Sequence, residues 1–84
     1  MAYYAAILDM IDESKNQTYR PHHLEYLDKL KEQGKVYLKG PFKDGSGGMV
    51  IYIADSFEEA EQLAKSDPYV VEGVRSLNLR EWGI

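Results

Sequence analysis

Two short runs constrain this chain more than anything else in it. Ala2-Tyr3-Tyr4-Ala5-Ala6-Ile7-Leu8 and Met49-Val50-Ile51-Tyr52-Ile53-Ala54 are apolar at consecutive positions, not at alternate ones. A strand sends successive side chains to opposite faces, so a run that is apolar in both phases belongs to a central strand covered on both sides. The first run extends as a strand over 2–11, and the second spans 49–54. Eighty-four residues make one domain, 1–84, with a modest core and no cysteine to supplement it with disulfides. A second copy of the chain is the simplest cover for a face its own helices leave bare, so a homodimer is expected.

The segments between these runs complete the pattern. Residues 12–18 are polar and read as a loop. A helix follows from about residue 19 to Gln33, with Thr18 or Arg20 as its cap, Pro21 in its first turn and Gly34 as its stop. Val36, Leu38 and Phe42 alternate with Lys35, Tyr37 and Lys39, giving a half-exposed second strand. Lys43 to Gly48 is a turn. Ser56-Phe57-Glu58-Glu59 is a capping box opening a helix whose apolar face is Phe57, Ala60, Leu63 and Ala64. Asp67-Pro68 starts a short helical turn that Gly73 ends, and Val74 to Trp82 is the last strand, with Leu77 and Leu79 opposite Asn78 and Arg80. The order β-α-β-β-α-β predicts an α+β, ferredoxin-like fold: a four-stranded antiparallel sheet with both helices on one face.

Charge narrows the partners. Ten basic residues against fourteen acidic ones leave a net charge of −4, so no nucleic acid is expected. No run approaches the roughly 18 apolar residues of a membrane span, so no membrane is expected either. The start Met1-Ala2-Tyr3-Tyr4 has no basic region of the kind signal peptides carry. With the absence of cysteine, this points to the cytoplasm.

His23 is the residue hardest to explain as scaffold. A helix advances about 100° per residue. Against the stripe Leu24, Leu27 and Leu30, His23 is displaced by roughly 40° and His22 by roughly 140°, so His23 looks inward and His22 outward. Arg20 falls on the inward side one turn earlier. An inward histidine is either a satisfied structural group or a proton carrier, since imidazole titrates near neutral pH. Asp67, before Pro68, reads first as a helix cap. Its second oxygen is free to orient an imidazole, which fixes the tautomer and suits a general base.

Other motifs carry less. Gly45-Ser46-Gly47-Gly48 lacks the phosphate-loop pattern and joins two strands, so it reads as a hairpin loop, with Ser46 offering a hydroxyl at a pocket mouth. Gly40-Pro41-Phe42 is a bend or a pocket wall. Of seven tyrosines, mostly structural, Tyr69 beside Asp67 is the one expected near a pocket. His22-His23 point about 100° apart and no cysteine set or HExxH accompanies them, so no metal site is expected. Glu58-Glu59-Ala60-Glu61 reads as a solvated helix face.

Taken in order, these motifs resemble a known family. Arg20-x-x-His23-Leu24-x-x-Leu27 is similar to the first-helix motif of YciI-like (YCII-related) proteins. Gly40-Pro41-Phe42, the Gly-rich turn, Ser56-Phe57-Glu58-Glu59-Ala60, Asp67-Pro68-Tyr69 and the final strand follow in that family's order, over nearly the whole chain. The resemblance implies a dimeric α+β barrel and an active site on a histidine and an aspartate, here His23 and Asp67, with Arg20 at the family's arginine. A related dehydrochlorinase acting on a chlorinated aromatic implies lyase-like proton chemistry. The chain departs from the family in Pro21-His22 and in a short N-terminal loop.

The expectation is a small-molecule enzyme without cofactor. His23 is its acid/base, Asp67 the orienter, and Arg20, Ser46 and Tyr69 bind an anionic or phenolic substrate for elimination or isomerisation. The alternative is a non-catalytic dimeric module that holds a small ligand or serves regulation. Haem, bound by some related barrels, is disfavoured because an outward His22 and a partly paired His23 make poor axial ligands.

Overall fold

The two doubly apolar runs take the two central places in the sheet. The computed structural model describes residues Met1–Ile84. Its elements are β1 (Ala2–Met10), α1 (Glu13–Glu32), β2 (Val36–Pro41), β3 (Gly47–Ala54), α2 (Phe57–Lys65), α3 (Pro68–Val71) and β4 (Arg75–Trp82). The strand order is β2-β3-β1-β4, every neighbour antiparallel, the arrangement expected of β-α-β-β-α-β.

Alternation divides the central strands cleanly. Tyr4, Ala6 and Leu8 of β1 join Val50, Tyr52 and Ala54 of β3 in one core with Leu27 and Leu30 of α1 and Ala60 and Ala64 of α2. The opposite phase carries Tyr3, Ala5 and Ile7 beside Ile53, Ile51 and Met49, paired across the strands. No helix of this chain joins that set. Tyr37, Leu38 and Trp82 are large exposed apolar side chains. The second face is therefore apolar and carries no helix, its side chains half-buried among themselves and Ile51 buried, as the consecutive runs require. No helix is long and apolar enough to cross a membrane.

Two local features differ from the sequence expectation. Helix α1 begins at Glu13, not near residue 19, so the expected loop 12–18 is its first two turns. Asp12 is the cap: its Oδ1 accepts the Ser14 N–H at 3.1 Å. These turns lack an apolar stripe and are held by polar contacts instead, with Asn16 Oδ1 accepting from Arg75 Nη2 at 2.9 Å. Pro21 thus lies inside the helix rather than in its first turn. It removes the N–H that would reach the Gln17 carbonyl, and both residues are exposed, where water replaces that bond.

The second difference is in β2. Val36 pairs with Tyr52 and Leu38 with Ile51, so two residues of β2 span one of β3. This bulge inverts the alternation. Leu38 turns to the bare face, while Lys39, paired with Val50, joins the helix side.

Close approach fixes the start of β3. Gly47 has φ +150°, and a Cβ there would stand 2.0 Å from the Leu8 carbonyl oxygen. Gly45 has φ +78° with open space around it. Gly47→Ala is expected to cost about 3 kcal/mol or more, and Gly45→Ala only about 1 kcal/mol. Urea unfolding checks both; a Gly47→Ala midpoint equal to wild type would contradict the close approach.

Candidate active site

His23, Leu27 and Leu30 are the buried residues of α1, spaced four and three apart on one stripe. The histidine thus occupies a core position, and Leu24 beside it is half-buried. Asp67 is delivered by a separate device. Its backbone is extended, Pro68 follows as the first helical residue, and Oδ1 accepts the Tyr69 N–H at 2.9 Å, capping α3.

The two side chains meet. Asp67 is fully buried and His23 nearly so, at 0% and 8% exposure. Nδ1 of His23 lies 2.8 Å from both carboxylate oxygens. A carboxylate only accepts, so Nδ1–H donates and the cap and the orienting contact use the same group. A charge with no exposed surface requires such partners, because burial without them costs several kcal/mol. Nδ1–H donation leaves the lone pair on Nε2. Nε2 makes no hydrogen bond within the chain and is not among the sealed unpaired atoms, so it reaches open space.

That space is a cavity of about 220 Å³ between α1 and the sheet. Leu8 and Val50 form apolar wall, and Gly40 and Pro41 supply the backbone wall anticipated for Gly40-Pro41-Phe42. Tyr69 lines it too, its ring stacked on His23 with centroids 4.0 Å apart at 21°. The Arg75 guanidinium carbon stands 4.2 Å from the Tyr69 ring centre. Burial raises the Tyr69 phenol above its ordinary value, with Arg75 and Arg20 opposing the shift. Burial lowers the Arg75 guanidinium, yet arginine stays charged at neutral pH.

The structure brings His23, Asp67, Arg20 and Tyr69 together, since Arg20 also lines the cavity. It does not bring Ser46. That residue is exposed in the hairpin, its N–H bonded to Asp44 Oδ1 at 2.9 Å and its carbonyl accepting from Met10 at 2.8 Å. Two cations went unrecognised in the sequence, Lys39 and Arg75, both lining the cavity. Arg75 was legible: it shares the inward phase of Leu77 and Leu79 on one strand. Lys39 was not, because only the β2 bulge turns it inward.

Buried phenols surround this centre and make its stability depend on pH. Burial raises Tyr26, Tyr52 and Tyr69, and the Asp67 charge pushes each the same way. A phenol raised in the fold contributes stability that is complete below its unfolded value of about 10 and is lost as pH climbs through the folded value. The protein should therefore lose helical circular dichroism above about pH 10, with a cooperative rise in phenolate absorbance. Noncooperative ionisation of every tyrosine with the fold intact would contradict it.

Comparison with known proteins follows the same fold. The chain is 38% identical over 80 residues to the uncharacterized protein YjpA of Bacillus subtilis (strain 168), covering 95% of this chain and 94% of that one. Among solved structures it resembles 5-chloro-2-hydroxyhydroquinone dehydrochlorinase (TftG) of Burkholderia phenoliruptrix AC1100, in complex with 2,5-dihydroxybenzoquinone. The TM-score is 0.82, with 22% identity over 96% of this chain and 93% of that one, a likeness of fold. Residues 1–83 match the YCII-related domain, and the chain belongs to that family.

Proposed function

We propose that this protein is a cofactor-independent enzyme that moves a proton on a small phenolic or anionic molecule, with His23 as general acid/base. The observation that carries this reading is the direction of the imidazole. Its Nδ1 is held at 2.8 Å by a fully buried carboxylate, and its unpartnered Nε2 opens on the cavity. A base so fixed has its lone pair aimed and its tautomer set before substrate arrives. Asp67 orients it, and Arg20 offsets substrate charge. Tyr69 stacks on the imidazole, limits its rotation and lines the cavity.

Elimination and isomerisation both fit this equipment. Nε2 takes a proton from a ring hydroxyl, the electron pair moves into the ring, and the proton returns at a ring carbon, which is an isomerisation; where that carbon bears chlorine, loss of a second hydroxyl proton to Nε2 then expels chloride, which is an elimination. The similar structure's enzyme is a dehydrochlorinase, which favours the elimination arm.

A second copy of the chain on the bare sheet face completes the proposal. Gly40 and Met49 border both the site cavity and a hollow on that face that Leu38, Ile51 and Trp82 also line. The site would then lie beside the dimer interface. Light scattering after size exclusion should give twice the mass of 9.6 kDa. A clean monomer at micromolar concentration would remove the dimer.

Chloride release from 5-chloro-2-hydroxyhydroquinone is the first activity assay. His23→Gln should lower the rate at least about a hundredfold. Asp67→Asn keeps an oxygen for the α3 cap but presents an N–H₂ to Nδ1, turning the tautomer round, and should cost up to as much as His23→Gln, about a hundredfold. His23→Gln as active as wild type would sink the acid/base role; no chloride release by wild type would remove the dehydrochlorinase arm.

A further inference from the structure

The cavity is far more basic than the protein that contains it. The chain carries a net charge of −4, yet Arg20 from α1, Lys39 from β2 and Arg75 from β4 all line the cavity and no carboxylate does. None of the three is well neutralised within the fold. Arg20 makes no ion pair or side-chain hydrogen bond. Lys39 has only the exposed Asp28 at 3.8 Å. Arg75 donates to the neutral Asn16 at 2.9 Å, and its Nε is buried with no partner at all. Gathering like charges in a partly buried space is unfavourable unless an anion joins them.

The backbone makes room for this cluster. A Cβ on Gly48 would stand 2.9 Å from the Gly40 carbonyl oxygen, which β2 pairing holds in place, and 3.1 Å from Arg75 Nη1, so the glycine serves the strand approach first and leaves the guanidinium its room as well. Arg20 and Arg75 also line the adjoining hollow toward Asn16 and Gly45, where Glu13 is the one carboxylate against them. The volume of about 220 Å³ falls below the range of roughly 300–1,000 Å³ that holds drug-sized ligands, which leaves space for one ring.

We infer that the cavity takes a one-ring acid that arrives already carrying a fixed negative charge. Arg20, Arg75 and Lys39 receive its carboxylate or ionised oxygen, while a separate hydroxyl lies at His23 Nε2. This rests on the acid/base reading of His23 and adds the substrate class to it. When Nε2 takes the hydroxyl proton, the electron pair left on oxygen spreads into the ring and the ligand gains a second negative charge. The cations then attract the doubly charged ligand more strongly than the singly charged one, which is the condition for lowering the barrier. Arg75 and Lys39 thereby become specificity residues.

A matched pair of probes separates charge from shape. 4-Hydroxybenzoate and 4-hydroxybenzamide share a ring and a hydroxyl and differ in the charge opposite it. Calorimetry and NMR at low salt should show the carboxylate binding at least about tenfold tighter than the amide, with the advantage shrinking as salt is added. Arg75→Gln and Lys39→Gln, each checked for a native NMR spectrum, should cut that ratio severalfold. His23→Gln should keep the ratio. A ratio near one in wild type, no binding of either probe at millimolar concentration, or a ratio unmoved by both cation variants would overturn the inference. Equal affinity for the two probes, with both displacing the His23 ring signals, would overturn it while leaving the acid/base reading intact.

Discussion

The Asp67 carboxylate is the point on which the rest of the site depends. It has no exposed surface, so its charge must be met inside the protein. Three short contacts do this: the imidazole N–H reaching both oxygens and the backbone N–H of Tyr69. Each contact also fixes something else. The first sets the rotation and tautomer of His23 and ties α1 to the start of α3. The second fixes the turn that places Tyr69, whose ring stacks on the imidazole. One buried charge therefore organises a helix start, a ring stack and the orientation of an imidazole, and these lose their common reference if it is removed.

This arrangement opposes two electrostatic demands. The negative centre lies behind the imidazole, sealed from water. The positive groups lie in front, lining the cavity, with Arg75 over the Tyr69 ring. The imidazole ring separates the two and prevents the simplest outcome, a direct ion pair between Asp67 and an arginine, which would consume both. Tyr69 acts in the same sense: its ring takes the guanidinium at 4.2 Å through its π face, a softer partner than a carboxylate. The cations thus stay free to act on what enters the cavity.

Much of this was legible in the sequence, and the failures have physical causes. Helix phase alone turned His23 inward and His22 outward, because 3.6 periodicity is strong where Leu27 and Leu30 mark the stripe. Asp67-Pro68 announced its cap. Their meeting was not legible, since 44 residues separate them and only the fold closes that distance. The first turns of α1 escaped because residues 13–18 carry no apolar stripe, and Asp12 was not seen as the cap that starts them. Lys39 was assigned to the outer phase because simple alternation does not foresee a bulge. Arg75 stood in phase with Leu77 and Leu79, a charged residue on an apolar phase, and that conflict was itself the signal of a cavity-lining position.

The bare sheet face and the site are linked through β3. Val50 faces the cavity while Ile51, one residue on, is 2% exposed on the opposite face. Met49 borders both hollows, and its partner across the ladder is Gly40, which has no side chain to separate them. A second copy seated on the face would press on Met49 and so form part of the wall that confines a ligand. The doubly apolar run then answers two needs at once. Its inner phase builds the core under His23, and its outer phase lies on a face whose hollow shares Met49 and Gly40 with the cavity.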